Sequence, residues 1–170
     1  KRKNPRDVVI FSERVFDKIS TGSSIRIGTS APRRLENVPH FLNQALPILN
    51  ENKPKTQFLE IRGNVNTRLS RLHEPDSSPK QLEGVVLAFA GLIRLYESSS
   101  AQNELLHLLK NTRWMVLPLQ ECPSAPGQGA LAIECRASHK SAVDALAKLH
   151  DRTTENQIRD ERELLSEYGG

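Results

Sequence analysis

Arginine recurs where short apolar runs give way to turns: Arg33 and Arg34 after Ile25-Arg26-Ile27-Gly28, Arg62 and Arg68 after Phe58-Leu59-Glu60-Ile61, and Arg94 after Gly84-Val85-Val86-Leu87. A guanidinium stays protonated and offers a planar fork of N–H donors, so it suits anion binding rather than acid–base work. Each unit reads as strand, tight turn and helix start. Helix N-termini beyond the carboxyl ends of an α/β sheet present unpaired N–H groups and a partial positive charge, which favour anions. Three such units on neighbouring strand ends would converge on one crevice. The expected chemistry is the binding of small anions. The plainer alternatives are three unrelated surface arginines and, for Arg33-Arg34, a solvated pair.

The elements that would position these arginines follow from apolar spacing. Val8-Val9-Ile10-Phe11 is a short buried strand, and Val15, Phe16 and Ile19 recur at helical spacing. Ser30 is placed as an N-cap with Pro32 in the first turn, so Arg33 and Arg34 lie where a helix dipole prefers acids; an external anion is expected there. Residues 38–50 read as an amphipathic helix with Phe41, Leu42, Leu46, Ile48 and Leu49 inward. A strand up to Ile61 then turns at Gly63-Asn64, and Val65, Leu69 and Leu72 place Arg68 near the first turn of the next helix.

Residues 73–80 form a polar surface loop, 101–110 a helix with Leu105, Leu106, Leu108 and Leu109 on its apolar side, and 114–119 a last strand. Pro123-Ser124-Ala125-Pro126-Gly127-Gln128-Gly129 is a hinge-like linker, stiff at prolines and permissive at glycines. Beyond it, 130–135 reads as a strand, and 141–149 and 154–167 as helices, the last with only Ile158, Leu164 and Leu165 as apolar positions.

The 170 residues suit one ordinary domain, or one domain with pieces of its neighbours. Hydrophobic residues make up 37% and charged ones 26%, a balance that suggests either a very well-solvated surface or segments packing against something outside the chain. The net charge of +4 is too small to indicate nucleic-acid binding by itself, and the eight aromatics lie mostly in apolar, core-like contexts rather than as the stacking platforms of single-strand binders. Cys122 and Cys135 have no partner at metal-ligand spacing, so they read as unpaired thiols of a reducing compartment, with no metal site. Nothing in the sequence resembles a membrane span or signal-peptide core, and the expectation is a soluble cytoplasmic protein.

Four motifs in order carry a family resemblance: Ile27-Gly28-Thr29-Ser30-x-x-Arg33-Arg34, Ile61-Arg62-Gly63-Asn64-x-x-Thr67-Arg68-Leu69, Leu87-Ala88-x-Ala90-Gly91-Leu92-x-Arg94-Leu95, and Pro126-Gly127-Gln128-Gly129-Ala130-Leu131-x-Ile133-Glu134. Together they resemble the porphobilinogen deaminase (hydroxymethylbilane synthase) family. The resemblance implies a transferase of porphyrin and haem biosynthesis, which joins four porphobilinogen molecules into hydroxymethylbilane with loss of ammonia. The growing tetrapyrrole is built on a dipyrromethane cofactor held by a cysteine. Every ring carries an acetate and a propionate, which would be the anions the arginine turns expect. By the match, Arg33, Arg34, Arg62, Arg68 and Arg94 hold cofactor and substrate carboxylates, Thr29, Ser30 and Asn64 add hydrogen bonds, and Gln128 lies in a hinge.

The implied fold is α/β: a three-layer domain with a central mixed sheet, resembling a type II periplasmic-binding-protein-like domain, plus segments of neighbouring domains. Residues 5–122 would be the second domain, 123–129 the hinge, 130–150 a returning strand and helix of the first domain, and 151–170 the first helix of the third. The resemblance puts the catalytic aspartate upstream of Lys1 and the cofactor cysteine one residue beyond Gly169-Gly170. The piece is then expected to be inactive alone, with porphobilinogen and the polypyrrole chain as the parent's partners, no nucleic acid or membrane, and a monomeric parent. Two departures stand out: Ser30-Ala31-Pro32-Arg33-Arg34 where the family commonly has Ser-Ser-Leu-Arg-Arg, and a longer loop over 74–81. A non-enzymatic anion-binding α/β module and a nucleic-acid binder using the basic turns are the alternatives.

Overall fold

Val8, Val9 and Ile10 are completely buried because β1 (Asp7–Ser12) is an interior strand, flanked on both sides and covered on both faces. A computed structural model describes residues 1–167; the Gly169-Gly170 pair lies outside the described residues. β2 (Ser24–Gly28), β3 (Lys55–Leu59), β4 (Gly84–Ala88) and β5 (Thr112–Val116) complete a five-stranded sheet in the order β3-β2-β4-β1-β5. β2 runs parallel to β3 and β4, while β1 is antiparallel to β4 and β5. The fold is thus α/β with a mixed sheet.

Alternation along the strands sends side chains into two cores. Val9, Phe11, Ile25, Ile27 and Val86 face one side, where α1 (Arg14–Ser20) contributes Val15 and Ile19, and α2 (Pro32–Ala45) contributes Val38 and Leu42. Val8, Ile10, Val85 and Leu87 face the other. There α3 (Val65–Ser70), α4 (Phe89–Glu97) and α5 (Gln102–Leu108) supply Leu69, Leu92 and Leu105, joined by Leu72 from the short 3-10 turn Arg71–His73. Helices on both faces give three layers.

Several boundaries differ from the sequence expectation. The helix expected over 38–50 starts at Pro32 and stops at Ala45, because Pro47 pushes Leu46 to an extended conformation (φ −77°, ψ 142°); Ile48 is consequently 60% exposed. Ser30 is not the N-cap. Ala31, extended ahead of Pro32, takes that place, and its carbonyl accepts from the N–H groups of Arg34 and Leu35. β3 ends at Leu59 rather than Ile61, and Phe16 and Leu106 face solvent despite their helical spacing.

Residues 130–135 form no strand, since a strand exists through its partner and none pairs there among the described residues; Leu131 and Ile133 are exposed. α6 (Lys140–Ala147) and α7 (Arg152–Glu167) match the expected helices but bury no residue. α7 is tied to the chain start by Arg2, which donates to both carboxylate oxygens of Glu161 and to the Gln128 carbonyl.

Candidate functional site

Because β1 opposes the other four strands, its first residue lies level with their carboxyl ends. Asp7 pairs with Ala88 at the end of β4, and its carbonyl accepts from the N–H of Leu117, just past β5. An acid is thereby set into the end of the sheet where the arginine-bearing turns emerge. Asp7 is fully buried.

α2 begins four residues after β2, so Arg33 and Arg34 both reach this acid. Arg34 is buried and forks onto it, Nε to Oδ2 at 3.1 Å and Nη2 to Oδ1 at 2.8 Å, while Nη1 donates to the Val86 carbonyl at 3.3 Å. Arg33 donates from Nη1 to Asp7 Oδ2 at 2.6 Å and to the Pro123 carbonyl at 2.8 Å, and from Nη2 to Gln128 Oε1 at 2.8 Å. Gln128 turns its amide nitrogen onto Asp7 Oδ1 at 2.8 Å and the Pro5 carbonyl at 2.6 Å. Burial alone would raise the Asp7 carboxyl; the hydrogen bonds and charges of Arg33 and Arg34 outweigh it and hold the group below the ordinary carboxylate range.

Arg68 donates Nε to the Gly63 carbonyl at 2.9 Å, across the turn made possible by Gly63 at φ +109°. Its guanidinium is held below its ordinary value by burial first and then by the charge of Arg34. Arg68 thus lies within reach of the Arg34 charge. Arg94, in the last turn of α4, donates Nη2 to the Gly129 carbonyl at 2.8 Å, next to Gln128. Arg62 is set apart, exposed and paired with Glu60 at 3.1 Å.

The expected hydrogen-bonding residues have local duties. Thr29 is buried with its N–H on the Leu59 carbonyl, and Ser30 donates its hydroxyl to the Ile61 carbonyl. Asn64 caps α3 by accepting from the N–H and hydroxyl of Thr67. Thr29 and Ser30 thereby fix the β2 and β3 turns against each other. Cys122 is buried under the cluster, its thiol raised to about 11 by burial, then by Asp7 and Glu121, against the pull of Arg33.

The family model described as "Porphobilinogen deaminase, dipyromethane cofactor binding domain" matches residues 1–144. The chain belongs to the porphobilinogen deaminase family. The porphobilinogen deaminase of Shouchella clausii is 34% identical over 170 residues, covering 99% of this chain and 45% of the relative. That of Mycobacterium marinum is 36% identical over 167 residues, covering 98% of this chain and 44% of the relative. The chain therefore spans less than half the length of these relatives. The porphobilinogen deaminase match takes in Asp7, all the arginine turns and Gln128, and ends inside α6. Among the described residues no helix is long and apolar enough to cross a membrane.

Asp7 is the site residue that the motifs did not reveal. Its signal was available: an acid directly abutting the wholly apolar Val8-Val9-Ile10-Phe11 must enter the sheet with it, and a buried carboxylate requires a cation.

Proposed function

We propose that this chain is the arginine-lined, carboxylate-binding part of a porphobilinogen deaminase, which condenses four porphobilinogen molecules into hydroxymethylbilane with release of ammonia in tetrapyrrole synthesis. The observation that carries this reading is a charge imbalance. Arg33 and Arg34 bring two positive charges to Asp7, which supplies one negative charge, and Arg68, within reach of the Arg34 charge, has no carboxylate partner among the described residues, so positive charge is in excess. Such an excess at the end of a sheet is costly unless a ligand brings anions, and every pyrrole ring of this reaction carries two carboxylates.

The residues fit a dipyrromethane group on the same ground. When bound, that cofactor supplies the terminal pyrrole to which substrate rings are joined. The chain's own residues bind and orient: Arg68 and the Nη1 and Nη2 groups of Arg33 donate to ring carboxylates, Arg34 is held rigid behind them, and Arg94 and Arg62 serve carboxylates further along the polypyrrole. Each charge-assisted contact contributes about 1.5–3 kcal/mol, so several hold a polyanionic chain in register. Thr29, Ser30 and Asn64 shape the turns around these contacts, and Gln128 belongs to the hinge.

On this reading residues 5–122 are the cofactor- and substrate-binding domain, in a fold resembling type II periplasmic-binding-protein-like domains. Residues 123–129 are the hinge, 130–150 return to a first domain, and 151–170 open a third. The exposed Leu131, Ile133, Leu149 and Leu164 support that division, because apolar side chains without a core belong against other parts. The catalytic aspartate and the cofactor cysteine lie outside these residues, in a monomeric cytoplasmic parent. The 170-residue chain, incubated with porphobilinogen, should form no Ehrlich-positive product and acquire no dipyrromethane mass. Detection of either in an intact-mass and colour assay overturns the division of labour.

A further inference from the structure

Asp7, Arg33 and Gln128 form a closed ring of hydrogen bonds, and its members differ in how free they are to leave it. Arg34 has no freedom: it is buried, with Nε, Nη1 and Nη2 all engaged by Asp7 and the Val86 carbonyl. Arg33 keeps about a quarter of its side chain in solvent, at 24%. Two of its bonds, to the Pro123 carbonyl and to Gln128 Oε1, go to the 123–129 segment. An ionised carboxylate only accepts, so Asp7 takes the amide nitrogen of Gln128 and leaves Oε1 facing Arg33. The orientation of the amide, and hence the Arg33 contact, is dictated by Asp7.

We infer that Asp7 is a positioning residue that makes Arg33 choose between the 123–129 segment and a ligand carboxylate. A carboxylate that forks end-on across Nη1 and Nη2, rather than along the free Nε edge, competes with the Pro123 carbonyl and Gln128 Oε1 for these two nitrogens. Ligand binding at Arg33 therefore frees the 123–129 segment while Asp7 retains the guanidinium through Oδ2. This rests on the carboxylate-binding reading given above.

The test is hydrogen–deuterium exchange at 123–129 in the full gene product that carries this chain, with and without porphobilinogen. In the ligand-free protein Asp7→Asn and Gln128→Met should each speed exchange there about tenfold, a loss of one cooperative contact. The double variant should lie within about twofold of either single one, because both break one ring. Porphobilinogen should speed exchange at 123–129 in the unsubstituted protein and leave the variants unchanged. If Asp7→Asn does not fold, Arg33→Lys, which keeps the charge beside Asp7 but loses the fork, must show the same rise. Unchanged exchange in the ligand-free variants, or additive effects in the double variant, overturns the inference. Porphobilinogen that binds without altering exchange at 123–129 overturns it as well. A protein that does not bind porphobilinogen at all overturns the functional reading and the ligand half of the inference, while the ligand-free variants still decide whether Asp7 governs the segment.

Discussion

Arg34 and Asp7 meet as a two-bond fork entirely inside the protein, 2.8 and 3.1 Å long, joining the first turn of α2 to the first residue of β1. The pair offsets an arrangement the helix dipole disfavours, two cations at a helix start without an acid in that turn. Removing one member strands the other charge. Arg34→Met and Asp7→Leu should each cost about 3–5 kcal/mol in urea unfolding, and the double variant should cost at least about 1 kcal/mol less than their sum. Strict additivity would show that the fork is not an energetic unit.

The same pair sets an acid limit on stability. The folded Asp7 carboxyl is held below its ordinary value by Arg33 and Arg34, against the opposing effect of burial, so the unfolded chain binds a proton more readily than the folded one. The stabilisation is present above about pH 4, the ordinary aspartate value, and is lost as pH falls through the lower folded value. Urea midpoints should therefore fall below about pH 4, and Asp7→Asn should remove that component while leaving neutral pH without a slope from this group.

Strands β1, β2 and β4 were legible because Val8-Phe11, Ile25-Gly28 and Gly84-Leu87 are runs too short for helices and apolar apart from Arg26, and pairing buried them. The meeting of Arg33 and Arg34 followed from their place beyond β2, whereas Arg62, expected in the same crevice, stands apart on Glu60. The partner of Arg33 and Arg34 was not legible, since an antiparallel β1 that returns Asp7 to the same end is a matter of long-range topology. Ser30 as a cap failed locally: Pro32 at the helix start makes Ala31 the boundary whatever hydroxyl precedes it. The strand expected over 130–135 depends on a neighbour that periodicity cannot supply.

Thiol chemistry separates the two cysteines. Cys122 is buried and its thiol is pushed up to about 11, whereas Cys135 is exposed. Because the thiolate is the reactive species, iodoacetamide at pH 8 should add one label to the native chain, at Cys135, and a second only on unfolding. Peptide mapping that finds Cys122 labelled first would contradict the buried position under Asp7.

Asn64 carries a local structural duty that can be isolated. Its side-chain oxygen is the acceptor for both the N–H and hydroxyl of Thr67 at the start of a helix only six residues long. Asn64→Ala should cost about 1 kcal/mol, and Asn64→Ser or Asn64→Asp should recover most of it. Failure of Asp or Ser to recover would mean that the amide acts on something other than the cap.

Arg68 and Arg62 flank one turn but should answer substitution differently. Arg62 is solvent-exposed and already paired with Glu60, whereas Arg68 is half-buried, is repelled by Arg34, and has no carboxylate partner among the described residues. Arg68→Gln should weaken porphobilinogen binding by the full gene product by about tenfold or more, the value of one charge-assisted bond. Arg62→Gln should weaken it by about threefold, as expected of an exposed, screened pair. Relief of the Arg34 repulsion should at the same time leave Arg68→Gln no less stable toward urea than the unsubstituted protein. A loss of affinity without a loss of stability distinguishes a residue kept for its ligand from one kept for the fold, and titration calorimetry beside urea unfolding reads both. Equal losses of affinity and stability at Arg68 would place its role in the fold instead.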